Sequence, residues 1–199
     1  MARMTAASVL SNTARIDSPM RTTIAVVASS FFVALCSHIS VPLFFTPVPI
    51  TLQPFAVLVL GLFLEPAAAF AALSLFLVEG AAGLPVFTPQ GPGGMLQLLG
   101  PTGGYLFSYP FVAAFISFLY RRFQKRNFAT AAISVAIGDA LILIMGTIWL
   151  AAVTHQPFTH AVSLAIVPFL PGDALKVCIA AAISAGWLRL RKIEETAGR

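Results

Sequence analysis

The chain contains six apolar segments, most of which are about as long as a helix that crosses a lipid bilayer. A spanning helix needs about 20 apolar residues, because each residue rises about 1.5 Å across a hydrocarbon core about 30 Å thick. Hydrophobic residues make up 58% of the chain and charged residues 10%, whereas soluble domains contain about 25% charged residues. The sequence therefore predicts an all-α integral membrane protein with six transmembrane helices.

The predicted spans differ in length. They cover residues 22–41, 51–64, 66–84, 103–120, 129–153 and 161–188. The second is unusually short, and the sixth is longer than one straight span. Because Pro168 and Pro171 interrupt that last run, the residues before them are predicted to form a separate surface or re-entrant piece.

Three regions follow from these boundaries. We expect an N-terminal segment at residues 1–21, a six-helix membrane domain at residues 22–188 and a basic tail at residues 189–199. The membrane domain includes outer loops that are rich in proline and glycine.

The positions of the basic residues predict the orientation. Eleven of the twelve Lys and Arg residues flank the first, fourth and sixth spans: Arg3, Arg15, Arg21, Arg121, Arg122, Lys125, Arg126, Arg189, Arg191, Lys192 and Arg199. With an even number of spans between these clusters, all eleven lie on one side, which the positive-inside rule identifies as the cytoplasm. Both termini are therefore predicted to be cytoplasmic, in a multi-pass protein of the bacterial inner (cell) membrane. The net charge of +5 then indicates contact with anionic lipid rather than with nucleic acid.

Two of the predicted outer loops are dense in proline and glycine. They comprise residues 42–53 and 83–94. Proline fixes φ and glycine permits positive φ, so we expect shaped, semi-rigid connections. Apolar residues such as Phe44, Phe45 and Phe87 indicate either that these loops fold over something or that they anchor helix ends at the membrane interface. The residue types leave both interpretations open.

Lys176 is the one basic residue inside an apolar run, and Asp173 lies three positions before it. A charged side chain in the membrane costs roughly 3 kcal/mol unless it is paired or hydrated, and such residues usually mark a functional site. The i,i+3 spacing places both on one face of a helix. They form either an internal ion pair or a ligand site that opens to the outside and binds a carboxylate or an amide-like N–H.

Three further acidic residues lie in or next to the predicted spans. Glu79 approaches the same outer layer as Lys176 and is a candidate site residue. Asp139 lies closer to the cytoplasmic half, where we expect it to bond a neighbouring helix or a basic loop residue. Glu65 at the cytoplasmic turn is predicted to be an interface residue at the start of the third span.

Several function classes are excluded by the motifs that the sequence lacks. There is no Gly-x-x-x-x-Gly-Lys-[Ser/Thr] motif, so ATP used for transport would bind to another subunit. His38, His155 and His160 form no zinc-protease motif, and no serine stands in a nucleophile elbow. We therefore expect a protein that is not an enzyme, with no catalytic residues, metal or cofactor.

Five motifs, in order along nearly the whole membrane part, carry a family resemblance: Pro47-Val-Pro-Ile-Thr-Leu-Gln53, Gly83-Leu-Pro-Val-Phe87, Leu99-Gly-Pro-Thr-Gly-Gly-Tyr105, Gly146-x-x-Trp-Leu150 and Pro168-Phe-Leu-Pro-Gly-Asp-Ala-Leu-Lys176. Each motif is weak alone, but together they are specific. The chain resembles the BioY family, the biotin-binding S components of energy-coupling factor (ECF) transporters.

The resemblance implies six spans with cytoplasmic termini and a biotin site on the outer side, with the first outer loop as its lid. Residues matching Asp173 and Lys176 take part in that site. We hypothesise that these two contact the ureido ring or the valerate carboxylate of biotin, while Phe44, Phe87 and Tyr105 cover the bicyclic ring.

The chain departs from the family pattern at two places. Relatives often carry Asn and Tyr where this chain has Asp139 and Leu143, and the central outer loop at residues 88–92 contains no arginine. An arginine contact from that loop is therefore excluded. Three residues are candidates to replace it: Glu79, Gln90 and Gln97.

The expected function is biotin uptake by a membrane subunit that captures biotin outside for release into the cytoplasm. Biotin is then the transported substrate, and the implied partners are a separate ECF transmembrane subunit and two ATPase subunits. The alternatives are an S component for another vitamin and a facilitator that works alone.

Overall fold

The computed structural model describes the backbone of residues 6–197 and the side chains of residues 19–197, so Arg3 and Arg199 of the predicted basic clusters lie outside it. The described chain is mostly helical, with one pair of two-residue strands that the all-α prediction did not include. In chain order the elements are α1 (Ala6–His38), β1 (Ser40–Val41), β2 (Ile50–Thr51), α2 (Gln53–Phe63), α3 (Pro66–Ala81), α4 (Gly94–Leu99), α5 (Gly103–Arg122), α6 (Phe128–Thr154), α7 (Phe158–Ala165) and α8 (Leu170–Ala197).

Three of the described helices are long and apolar enough to cross a bilayer: the Pro19–His38 part of α1, α5 and α6. Helices α7 and α8 pass the same test only as a pair, and the chain bends by 54° between them. The break lies at Pro168, so the separate piece that was predicted from Pro168 and Pro171 is the helix α7.

Helices α2 and α3 are shorter than the spans predicted at residues 51–64 and 66–84. They contain 11 and 16 residues, which corresponds to about 16 Å and 24 Å. Helix α2 contacts α1, α5, α6 and α8 and is buried on almost every side. Its apolar side chains therefore face protein rather than lipid. Helix α2 consequently does not need to be as long as the bilayer is thick.

Helices α1 and α8 extend beyond the predicted spans. Helix α8 continues to Ala197, so residues 189–197 of the predicted basic tail form its last turns. Helix α1 begins at Ala6, within the predicted N-terminal segment. The stretch after Trp187 contains good helix formers such as Leu, Arg, Lys and Glu, so the helix has no local reason to end at the edge of the membrane.

The loops at the opposite end from the basic residues are tied down, as their proline and glycine content predicts. Strands β1 and β2 pair antiparallel, with Ser40 opposite Thr51, and they close the loop of residues 42–49 at its base. The central loop contains helix α4, and Trp149 of α6 donates a hydrogen bond from Nε1 to the carbonyl oxygen of Gly100 at 2.8 Å. These loops are therefore shaped walls above the helices.

Helices α5 and α6 approach closely at Gly104. A Cβ atom added there would lie 2.2 Å from Cβ of Trp149 and 2.8 Å from the carbonyl oxygen of Met145. Small residues at such crossings allow the backbones to pack tightly in a membrane. This contact holds the beginning of α5 against α6, on the side of the bundle where the loops lie.

We predict that Gly104→Ala lowers the free energy of unfolding by about 1–3 kcal/mol, because the added methyl group overpacks this crossing. The control is Gly186→Ala on α8, where an added Cβ meets nothing within 4 Å. Denaturant unfolding of both purified variants in detergent gives the comparison. Equal stability of the two variants would contradict the proposed packing.

Candidate functional site

A cavity, which we call the ion-pair cavity, lies where α2, α5 and α8 begin, beside the middle of α6 and below the two loops. Its volume is ≈ 40 Å³. Its charged and amide side chains are Gln53, Gln97, Asp139, Asp173 and Lys176. Apolar walls come from Leu106, Ile142, Leu143 and Phe169. Ligand sites of this kind combine apolar walls with a few placed polar groups.

Asp173 and Lys176 form an ion pair inside this cavity. Lys176 Nζ donates to Asp173 Oδ1 at 2.8 Å, and the two side chains are 9% and 6% exposed, respectively. Asp173 lies in the first turn of α8, where the positive end of the helix dipole stabilises a carboxylate. Of the two interpretations of the sequence, the internal pair is present, and the same pair lines the cavity.

Tyr105 fixes the position of the break between α7 and α8. Its hydroxyl donates to the carbonyl oxygen of Ala165 at 3.0 Å. The ring lies directly against Gly146 of α6, where an added Cβ would come within 2.3 Å of it. Glycine is therefore required at Gly146 for the tyrosine to reach across to α7. Tyr105 also lines the cavity.

The two glutamines of the cavity differ in their hydrogen bonds. Gln97 accepts a hydrogen bond at Oε1 from the backbone N–H of Gly93 at 3.2 Å. Gln53 is 4% exposed, and its Nε2 has no hydrogen-bond partner among the described residues. A buried donor without a partner costs about 1–3 kcal/mol. The amide of Gln53 is therefore available to an acceptor atom on a ligand.

Asp139 also lines the cavity and is 6% exposed. Its carboxylate makes no hydrogen bond or ion pair with the described residues. The prediction that it bonds a neighbouring helix or a basic loop residue is therefore wrong. Leu143 lies one helical turn further on and lines the same cavity, so both departures of α6 from the family pattern face this site.

Four of the seven predicted site residues line the cavity and three do not. The four are Gln97, Tyr105, Asp173 and Lys176. Phe44 is fully exposed in the first loop. Phe87 is buried against Phe76 of α3, with the ring centroids 5.3 Å apart, and Glu79 accepts a hydrogen bond from Ser30 Oγ at 2.5 Å. Phe87 therefore packs against α3, and Glu79, which belongs to α3, faces α1.

A second cavity, which we call the vestibule, lies between the loops of residues 42–49 and 88–102. Its volume is ≈ 310 Å³, and it shares Pro49, Thr88, Gln97 and Thr102 with the ion-pair cavity. Gln90 lines the vestibule and accepts hydrogen bonds at Oε1 from Ser40 Oγ at 2.6 Å and from Thr88 Oγ1 at 2.5 Å. The two cavities are therefore neighbours along one path.

The ion-pair cavity is suited to binding. Gln53 and Lys176 supply donors, Asp139 and Asp173 supply acceptors, and the remaining surface is largely apolar. Within the described chain, no group of three or more His, Cys, Asp or Glu residues is placed to hold a metal ion.

A model of the BioY family matches residues 5–193. The chain belongs to the BioY family. It is 37% identical to the probable biotin transporter BioY of Pyrococcus horikoshii over 158 residues, which cover 78% of this chain and 90% of that protein. It is 36% identical to the biotin transporter BioY of Thermotoga maritima over 171 residues, which cover 84% and 96%.

The fold of this BioY family member is also similar to a solved structure. The match is to the crystal structure of the S-component for biotin from an ECF-type ABC transporter, with a TM-score of 0.79 and 28% sequence identity. It covers 88% of this chain and 93% of the other. The family that the five motifs predict is thus confirmed, and the fold is that of an S component.

We predict that Lys176→Met lowers the free energy of unfolding by about 3–5 kcal/mol, because it leaves the buried Asp173 carboxylate without its partner. The double variant Asp173→Asn/Lys176→Met should lose less than the single variant. As a control, Arg121→Met removes the cation of the exposed pair with Glu65 and should cost about 0–1 kcal/mol. If Lys176→Met and Arg121→Met unfold at the same denaturant concentration, the ion pair has no structural role.

Proposed function

We propose that the chain binds biotin in the ion-pair cavity and serves as the substrate-binding S component of an ECF transporter. The observation that carries this proposal is the group of unpartnered and charged polar side chains that meet in one buried cavity of an S-component fold. The relatives that are named biotin transporters support the choice of substrate.

We further propose that α1, α2, α3, α5, α6 and α8 are the six spans, with both termini in the cytoplasm. The fold supports this orientation, because a single pocket brings basic residues of two clusters together: Lys125, Arg126, Arg189 and Lys192. Basic residues at one end of a bundle mark its cytoplasmic side. In a bacterium the membrane is then the inner membrane.

In this orientation the ion-pair cavity and the vestibule belong to the outer half. Val48 and Pro49 of the first loop line the ion-pair cavity directly, and so does Thr51 of β2, two residues before α2 begins. The loop is therefore placed to act as a lid. Because ≈ 40 Å³ is smaller than the bicyclic ring of biotin, the loop has to move for the ring to enter the cavity. Its exposed Phe44 is not part of the cavity wall.

The cavity matches the functional groups of biotin. The ureido ring has two N–H donors and one carbonyl acceptor, and the remainder of the bicyclic ring is apolar. Asp139 and Asp173 can accept from the N–H groups, while Gln53 and Lys176 can donate to the carbonyl oxygen. Burial of the apolar part against the walls of the cavity supplies further affinity.

Release into the cytoplasm requires other subunits in this proposal. The sequence contains no phosphate-binding loop, so ATP hydrolysis is assigned to two partner ATPase subunits and movement to a partner transmembrane subunit. The solved S component to which the chain is similar comes from an ECF-type transporter, which supports partners of this kind.

Calorimetric titration of the purified protein in detergent tests the function. We expect saturable binding of biotin that lipoate and thiamine do not displace. Gln53→Leu should weaken biotin binding about tenfold or more, because the ligand loses a buried hydrogen bond. The matched control, Gln124→Leu, changes an exposed glutamine in the loop between α5 and α6 and should bind like the wild type. Folded wild-type protein that shows no saturable biotin binding would refute the proposal.

A further inference from the structure

The ion-pair cavity has no surplus positive charge with which to bind a carboxylate. Among the residues that the structure describes, Lys176 is the only Lys or Arg that lines it, and its ammonium is already 2.8 Å from Asp173. Asp139 faces the same space, so the net charge is zero if Asp139 is protonated and negative if it is ionised. In either state a ligand carboxylate here would lose its water and lie beside another carboxyl group, which is unfavourable.

The unpartnered atoms of the cavity instead complement a neutral group that has both donors and an acceptor. Among the described residues, the Asp139 carboxylate makes no hydrogen bond. Gln53 Nε2 has no hydrogen-bond partner there either. A cyclic urea can donate to the first and accept from the second. Both groups are at least nine-tenths buried, so they remain unsatisfied until such a ligand or water reaches them.

The vestibule offers a different environment. Of the described residues, none that lines the vestibule is charged. It is also roomier than the ion-pair cavity, at ≈ 310 Å³ against ≈ 40 Å³, and Gln90 and Pro42 at its walls are exposed to water. A carboxylate held there keeps part of its hydration. The vestibule also has room for a substituent larger than a carboxylate, which the ion-pair cavity lacks.

We infer that biotin binds with its ureido ring in the ion-pair cavity and its carboxyl end in the vestibule, so that the site also accepts biotin derivatives substituted at the carboxyl group. The class of ligand is biotin amides and esters, including biotin joined through an amide to the side chain of lysine. This inference rests on the proposed function and adds the orientation of biotin between the two cavities.

The test compares the dissociation constants of biotin, biotinamide and biotinyl-lysine for the wild-type protein in detergent. We expect the three to agree within about threefold, since the charge of the tail contributes little in a hydrated vestibule. A loss of about tenfold or more for biotinamide would show that the carboxylate is bound as an anion, and it would overturn the inference.

A charge placed in the vestibule gives a second, independent readout. Gln90→Glu keeps an acceptor for the hydroxyls of Ser40 and Thr88 but adds a negative charge. It should weaken biotin about two- to fivefold, less so at high salt, and leave biotinamide unchanged. Gln124→Glu, which adds the same charge to an exposed loop at the other end of α5, is the control. An unchanged ratio of the two affinities in Gln90→Glu would contradict the inference.

The two proposals fail in different ways. If folded protein binds neither biotin nor its amide, the proposed function is wrong, and the inferred orientation of bound biotin is wrong with it. If it binds biotin but rejects both derivatives, the biotin function stands and the assignment of the vestibule to the carboxyl end is wrong.

Discussion

The ion pair between Asp173 and Lys176 sets the requirements that the surrounding structure has to meet. Removing two charges from water costs several kcal/mol for each, and a single close contact rarely offsets that cost. Here the 2.8 Å hydrogen bond is supplemented by the dipole of α8, because Asp173 lies in its first turn. Helix α8 must therefore begin inside the fold, and the bend after α7 allows it to do so.

The same requirement accounts for the short α2. Because this helix begins at Gln53, below the paired strands, its first turn lies beside the ion pair instead of at the membrane surface. The unpartnered amide of Gln53 and the carboxylate of Asp139 then meet in one layer with the pair. Native structures rarely keep two such groups without partners, and functional sites are where the exceptions occur. A ligand with donors and an acceptor gives both groups partners.

The parts of the fold that depend on long apolar runs could be predicted from the sequence. Helices α5 and α6 agree with their predicted spans within two residues at each end, and Pro168 correctly indicated the break before α8. The length of α2 could not be predicted in this way. An apolar run has the same composition whether it faces lipid or protein, so hydropathy alone cannot show that a helix is enclosed by its neighbours.

From the residue types alone, only charged residues of the candidate cavity could be predicted, whereas Gln97 and Tyr105 were predicted from the resemblance to the family. Asp173 and Lys176 are anomalous in any membrane segment, but the roles of Gln53 and Asp139 depend on how α2 and α6 are rotated in the bundle. Composition does not report that rotation. The available signal for Gln53 was an amide at the start of a short apolar helix, directly after a loop rich in proline.

The predicted site residues that do not line the cavity have a related explanation. Phe87 and Glu79 come from the correct layer of the molecule, but their side chains point to α3 and α1. A residue can lie close in sequence to the motifs that line the cavity while its side chain points away from the cavity. Phe44 is in the correct loop but is exposed instead of facing the cavity.

A crystal structure of the protein with biotin bound tests the central claim most directly. We expect the bicyclic ring to occupy the ion-pair cavity, with polar atoms of the ligand within hydrogen-bond distance of Gln53 and Asp139. Biotin bound elsewhere, for example beside Glu79 or Phe87, with the cavity around Asp173 and Lys176 unchanged, would contradict it.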